Sequence, residues 1–349
     1  MRIKSLISLL VLQLIVSLNL IAFNKLQPVI LEVFDLSGYL FDVIVFQNLI
    51  SLFLPILTGM MLDRYFSKKI FTGVAIGAVI IIASLSLLLL LFYGWLGNGN
   101  QVWLLLGCWF LGVKLFSIFG YTSLDQLTDH NSLPRATALI AQIIFIVFIF
   151  SKQLSELVYR TGPVVITTVL MLLVMVSYFL YHITQQSIEQ PEIERNKKTS
   201  FGLILITGLL TGFFQLMVTT FLPIWVMAKS NNAIHSLGSD FPLSVLLIVS
   251  VVTAWPLADL ISKTGVARSL MLSVAGCFLS LTFIFIVPDA YAALAGVILT
   301  GVAFAALFVS GLPFIIHQRI PENRFLALAV FFSSMELPGL ILDIVRFGK

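Results

Sequence analysis

Residues 59–69 read Gly59-Met60-Met61-Leu62-Asp63-Arg64-Tyr65-Phe66-Ser67-Lys68-Lys69. They join two apolar runs, 42–62 and 70–95, each long enough to cross a bilayer as a helix of about 20 residues. An aspartate that closes an apolar run, with basic residues just after it, marks where a helix leaves hydrocarbon for charged headgroups. The pattern returns 196 residues later, where 255–268 read Trp255-Pro256-Leu257-Ala258-Asp259-Leu260-Ile261-Ser262-Lys263-Thr264-Gly265-Val266-Ala267-Arg268. Asp259 falls at the end of the run 241–261, as Asp63 does for 42–62, and Lys263 and Arg268 follow it. Matching junctions in two parts of one chain point to parallel halves, a design used by transporters with the substrate site between the halves.

Composition says what solvent the chain needs. Of 349 residues, 59% are hydrophobic and 10% charged, with a mean hydropathy of +1.07. A soluble domain carries about 25% charged residues, so lipid must solvate much of this surface. The net charge of +4 and the pI near 9.1 do not indicate nucleic acid. The basic residues are scattered over short loops rather than gathered on one face. Cys108 and Cys277, the two cysteines, lie in apolar runs and read as packing residues.

Walking the chain gives spans at 5–23, 42–62, 70–95, 102–124, 137–158, 164–184, 201–225, 241–261, 269–287, 290–316 and 325–345. The fold class expected is all-α integral membrane, with 11 transmembrane helices arranged as six plus five. Unbroken apolar runs exclude a β-barrel, whose strands alternate. The first run follows Arg2 and Lys4 but lacks a small-x-small cleavage site, so it reads as an uncleaved helix. With the N-terminus in the cytoplasm, 13 of the 20 Lys and Arg fall on the inner side, which supports that orientation and a cytoplasmic-membrane location. The polar stretch 185–200 divides an N-terminal bundle, 1–184, from a C-terminal bundle, 201–349.

These residues carry a family resemblance. Gly59, Asp63, Arg64, Lys68 and Lys69 resemble the loop 2–3 signature of the major facilitator superfamily, with Phe66 where a glycine is usual. Asp259, Lys263 and Arg268 resemble its second-half copy, with Trp255 and Leu260 in place of the signature Gly and Arg. Pro134-Arg135-Ala136 is similar to loop 4–5. The resemblance implies a two-bundle fold, and the Asp-Arg-Tyr and Leu-Pro-Arg-Ala-Thr-Ala-Leu runs are closest to the small-molecule exporter branch: siderophore, macrolide or lysophospholipid transporters. It also implies twelve spans, so the chain is expected to lack the twelfth. Asp63 is placed to dock on a neighbouring helix N-terminus or to pair with a basic residue, and the basic residues to meet acidic headgroups. Such contacts would make the loops a gate.

A charge inside a span costs roughly 2.5–3.5 kcal/mol on insertion scales, so each needs a reason. Lys114, in the fourth span, is a candidate for proton coupling or for binding an anionic group. Glu336, in the eleventh, is a candidate proton carrier, and Pro338-Gly339 after it is expected to break the helix. Lys152 and Glu156 read as a self-neutralising i, i+4 pair. Where exporters carry a Gly-Pro motif, the fifth span reads Phe150-Ser151-Lys152-Gln153. Gln13, Asn19, Gln47, Asn48, Gln142, Gln215 and Thr219 are candidate cavity-lining residues, and Phe213, Phe214 and Trp225 candidate stacking groups.

No P-loop, H-E-x-x-H or G-x-S-x-G motif and no Cys/His cluster occurs. No enzyme, metal site or cofactor is expected. The function expected is secondary active transport of a small organic solute, by proton-coupled efflux. The expected partners are the substrate, protons and membrane lipid, with a monomeric protein. An importer or lysolipid flippase of the same fold, or a transport-inactive membrane partner, stay open.

Overall fold

In lipid a backbone must satisfy its own polar groups, and a helix does so within one segment. The computed structural model describes residues 3–36, 40–66, 71–95, 101–124, 132–185, 200–229, 238–318 and 323–347, and these are almost wholly helical. The helices are α1 (Ile3–Val33), α2 (Leu40–Phe66), α3 (Phe71–Phe92), α4 (Val102–Gly120), α5 (Leu133–Ile149), α6 (Ser151–Thr161) and α7 (Pro163–Gln185). They continue as α8 (Phe201–Leu216), α9 (Leu222–Ala228), α10 (Phe241–Thr264), α11 (Val266–Ile286), α12 (Ala290–Gln318) and α13 (Arg324–Phe347). Among the described residues ten helices are long and apolar enough to cross a membrane, or eleven if the bent pair α5–α6 is one span.

Three spans differ from the sequence expectation. The first runs to Val33, ten residues past Phe23, because Asn24, Lys25 and Gln27 are tolerated in a helix that is already formed. At 31 residues it is about 46 Å long, more than the ~30 Å of hydrocarbon. It stops at Asp35 (φ 56°), where the Leu36 N–H returns to the Leu31 carbonyl at 2.7 Å, a left-handed helix end. The fifth span is not straight: α5 and α6 meet at Phe150 with a bend of 58°. The residues after the bend, Ser151-Lys152-Gln153, leave the apolar pattern of α5, and α6 exposes Lys152, Gln153, Glu156 and Arg160. The seventh span continues past Trp225 to Ala228, through a π-helical turn at Met217–Phe221.

Proline does not break these helices. α13 runs on through Pro338, which removes one backbone donor and leaves the rest of the ladder intact, so the expected Pro-Gly break is absent.

Glycines set the closest helix contacts. A Cβ on Gly77 of α3 would sit 2.5 Å from the Phe116 nitrogen of α4, and one on Gly212 of α8 would sit 2.1 Å from the Met335 carbonyl of α13. Small residues at such crossings let backbones approach where lipid gives no hydrophobic drive to association. The outer surface is apolar. On α11, Met271, Leu279 and Ile286 are each more than 70% exposed, a surface suited to lipid and not to water.

Helices before residue 186 meet helices after residue 199 most extensively in two antiparallel pairs, α2 with α13 and α5 with α10, and also where α5 meets α12 and α4 meets α13. Residues 186–199, most of the expected linker, lie outside the described residues.

Candidate functional site

Lys114 projects from the middle of α4 and Glu336 from the middle of α13. The two form an ion pair that bridges the halves. Their side chains are 18% and 34% exposed, and both face a cavity of about 170 Å³. The Lys114 ammonium also lies 5.2 Å from the Phe110 ring centroid, a favourable cation–π distance. The cavity draws on α1, α4, α5, α8, α10, α12 and α13. Its walls are mostly apolar, with Phe145, Phe148, Phe304, Phe308 and Phe332 prominent. Gln13, Ser17, Ser117, Gln215 and Thr219 add neutral polar groups. The chemistry on offer is one cation, one carboxylate and a ring of aromatic surface.

One end of the helix assembly carries both aspartate junctions. The Asp63 carboxylate accepts from the Phe325 and Leu326 N–H groups at 3.1 and 2.8 Å, capping the first turn of α13. Gly59, one turn earlier, makes room for this: a Cβ there would sit 3.0 Å from the Leu326 backbone. On the other side of the assembly Asp259, near the end of α10, accepts from Arg135 Nε at 2.6 Å, at the start of α5. The two contacts are related in kind: an aspartate ending the second span of one half holds the start of a helix in the other. A helix start concentrates unsatisfied N–H groups and partial positive charge, so Asp63 suits its place.

The remaining signature residues are peripheral to these contacts. Arg64 is exposed, its guanidinium 5.5 Å from the Tyr65 ring, and Lys263 and Arg268 are exposed. Lys68 and Lys69 lie outside the described residues.

Of the polar residues expected to line the cavity, Gln13, Gln215 and Thr219 do so. The other four are placed elsewhere. Asn19 is buried and accepts from Trp109 Nε1 at 3.1 Å, fastening α1 to α4. Gln47 is buried on α2, its Nε2 without a hydrogen-bond partner among the described residues. Asn48 donates to Asp343 at 3.0 Å, and Gln142 donates to the Val251 carbonyl at 2.8 Å. These last two tie α2 to α13 and α5 to α10, so interhelical bonding took these groups, the commoner fate of polar side chains in spans. Phe214 packs edge-on against Phe278, and Trp225 against Phe285, away from the cavity. Lys152 and Glu156 form no ion pair: among the described residues the pairs are Lys114–Glu336 and Arg135–Asp259. Both side chains stand exposed on α6, where such a pair gains little.

Sequence reasoning missed Tyr121, Arg135 and the phenylalanine walls as site residues. A signal existed for Tyr121. Lys114, Ser117 and Tyr121 follow at i, i+3 and i+7, one face of a helix.

Neither a protein-family profile nor any curated protein sequence matches the chain. Solved structures do. A bacterial homologue of the iron transporter ferroportin, in an outward-facing state, aligns with a TM-score of 0.73 at 14% identity, covering 100% of this chain and 93% of that one. The human organic anion transporter MFSD10 gives 0.64 at 12%, covering 99% and 92%. The proton:xylose symporter XylE of the major facilitator superfamily gives 0.65 at 8%, covering 99% and 88%. At such identities the likeness is one of fold, and the chain has the fold of major facilitator transporters.

Proposed function

We propose that the chain is a proton-coupled transporter of a small amphiphilic organic anion, working by alternating access in the cytoplasmic membrane with its N-terminus inside. The observation that carries this is the Lys114–Glu336 pair, set in an aromatic cavity and joining the two halves. Residues 1–184 and 201–349 are then the moving bundles. The Asp63 and Asp259 contacts are latches that keep the cytoplasmic face shut in this state.

The pair suggests how cargo and proton are linked. An organic anion that takes Lys114 strips Glu336 of its partner. An unpaired carboxylate among apolar walls is costly, and a proton on Glu336 removes the charge. Anion and proton then bind together, which is cotransport. Under an inward proton gradient the movement is uptake. Iron, named for the ferroportin homologue, suits this cavity poorly. Lys114 already supplies a cation, and among the described residues no group of three His, Cys, Asp or Glu converges.

Efflux by antiport, the expectation from sequence, is the second reading. It is favoured by the greater exposure of Glu336, at 34% against 18% for Lys114, which suits a cationic cargo that competes with the proton for Glu336. Proteoliposomes separate the two. With acid outside, cotransport accumulates organic anions from a mixed panel, and Glu336→Gln uncouples that uptake from the gradient. Antiport instead expels organic cations loaded inside. If no solute moves faster than through protein-free liposomes under either gradient, the transport reading fails.

A further inference from the structure

A second, smaller cavity of about 50 Å³ lies beside the first, and its lining by Thr137, two residues from Arg135, and by Phe331, nearer than Glu336 to the α13 start that Asp63 caps, puts it on the side of Asp63 and Asp259. Thr137, Ala141, Thr211 and Gly311 belong to its lining alone. Five residues line both cavities and so make up the wall between them: Tyr121, Ile144, Phe308, Phe332 and Met335. At the centre of this wall the Tyr121 and Phe332 rings stack, with centroids 5.3 Å apart and planes 14° apart. Tyr121 directly follows α4, opening a 3-10 turn, and Phe332 lies on α13. The Tyr121 hydroxyl donates to Gln13 Oε1, and Gln13 in turn lines the larger cavity.

We propose that the Tyr121–Phe332 stack is an inner gate, separate from the Asp63 and Asp259 latches, and that Gln13 holds it shut. The geometry gives three reasons. The stack joins a residue before 186 to one after 199 and forms part of the wall between the larger cavity and the chamber nearer the latches. Empty space lies on both sides, so the wall is one layer of side chains rather than a packed core. The hydroxyl bond to Gln13 anchors the far end of the Tyr121 side chain and so holds the ring against Phe332, and it does so from a residue that lines the larger cavity. A polar group of the cargo that takes Gln13 releases Tyr121, which links occupancy to opening.

Cysteine accessibility tests this without any cargo, so its failure and the failure of the transport reading are separate results. The background replaces Cys108 and Cys277 with alanine. Ser117→Cys reports the larger cavity and Thr137→Cys the smaller chamber. A charged methanethiosulfonate reagent is added to reconstituted protein from the face opposite Asp63. Ser117→Cys is expected to react readily. Thr137→Cys is expected to react at least about tenfold more slowly, since the open gate is a minor state. Adding Phe332→Ala should bring the Thr137→Cys rate up to that of Ser117→Cys. Tyr121→Phe, which keeps the ring and loses the Gln13 bond, should raise it part of the way. If Phe332→Ala does not yield a monodisperse protein, Phe332→Leu takes its place with the same expectation. The proposal is overturned if Thr137→Cys reacts as fast as Ser117→Cys in the background protein, or if it stays shielded in a folded Phe332 variant.

Discussion

Lys114 and Glu336 neutralise each other across the two halves, and each alone would be a costly charge in an apolar setting. Lys114→Ala leaves the carboxylate unpaired. A destabilisation of about 1–3 kcal/mol is expected, below the ~3–5 of a fully buried pair because both side chains keep some exposure. Thermal unfolding in detergent reads it. The exchange variant Lys114→Glu/Glu336→Lys restores the pair and most of that stability, while a pair that also binds cargo loses anion flux on reversal. Equal flux in the exchange variant would mean that the pair is only a strut. Asp63→Ala removes the acceptor for two N–H groups of α13, worth about 1 kcal/mol. That is about a fivefold shift toward the state open on that face, measured as faster thiol labelling of Thr137→Cys from the Asp63 side. Both charges were legible in the sequence, since a lone ionisable group in mid-span needs a reason. Their pairing was not. The residues are 222 positions apart, and no periodicity relates helices of different halves. The partner of Asp63 was legible only as a class, because a backbone N–H leaves no mark in a sequence.

Helix contacts in this fold are decided by glycine positions rather than by apolar content. Gly212→Ala forces a Cβ to within 2.1 Å of the Met335 carbonyl. The resulting overpacking of α8 on α13 is expected to cost about 1–3 kcal/mol. Gly339→Ala, on the same α13, meets nothing within 4 Å and is expected to be neutral or slightly stabilising, given the ~1 kcal/mol helix penalty of glycine. Melting temperatures of the two variants should therefore move apart, and a similar drop in both would contradict the packing described. The number and order of spans were legible because long apolar runs admit one backbone solution in lipid. The bend at Phe150 was not, because Leu154, Leu157 and Val158 keep the segment apolar enough to pass as one span. The polar run Ser151-Lys152-Gln153 was the available sign. The seven polar candidates divided in the same way, since composition marks a side chain as polar and only the crossing helix decides whether it meets a cavity or a carbonyl.

At the scale of the molecule, the α2–α13 and α5–α10 seams are each fastened near the same end by an aspartate. The fastenings differ in strength. Arg135 and Asp259 are 51% and 38% exposed, so their pair is worth about 0.2–1 kcal/mol and weakens with salt. The Asp63 cap includes two backbone donors, the Phe325 and Leu326 N–H groups. Under the proposed alternating access both contacts would serve as latches, and a seam held by many kcal/mol would trap one state. Under the proposed mechanism, cargo crosses by opening and closing these seams around the Lys114–Glu336 cavity. The most direct measurement is solute flux with the Asp259 seam reversibly locked. Cysteines at Arg135 and Asp259, in the Cys108→Ala/Cys277→Ala background, are bridged by a reducible bifunctional thiol reagent in proteoliposomes. Flux driven by a pH gradient is then followed before and after reduction. Bridging is expected to stop flux and reduction to restore it. Flux that continues through the bridged protein would contradict the mechanism.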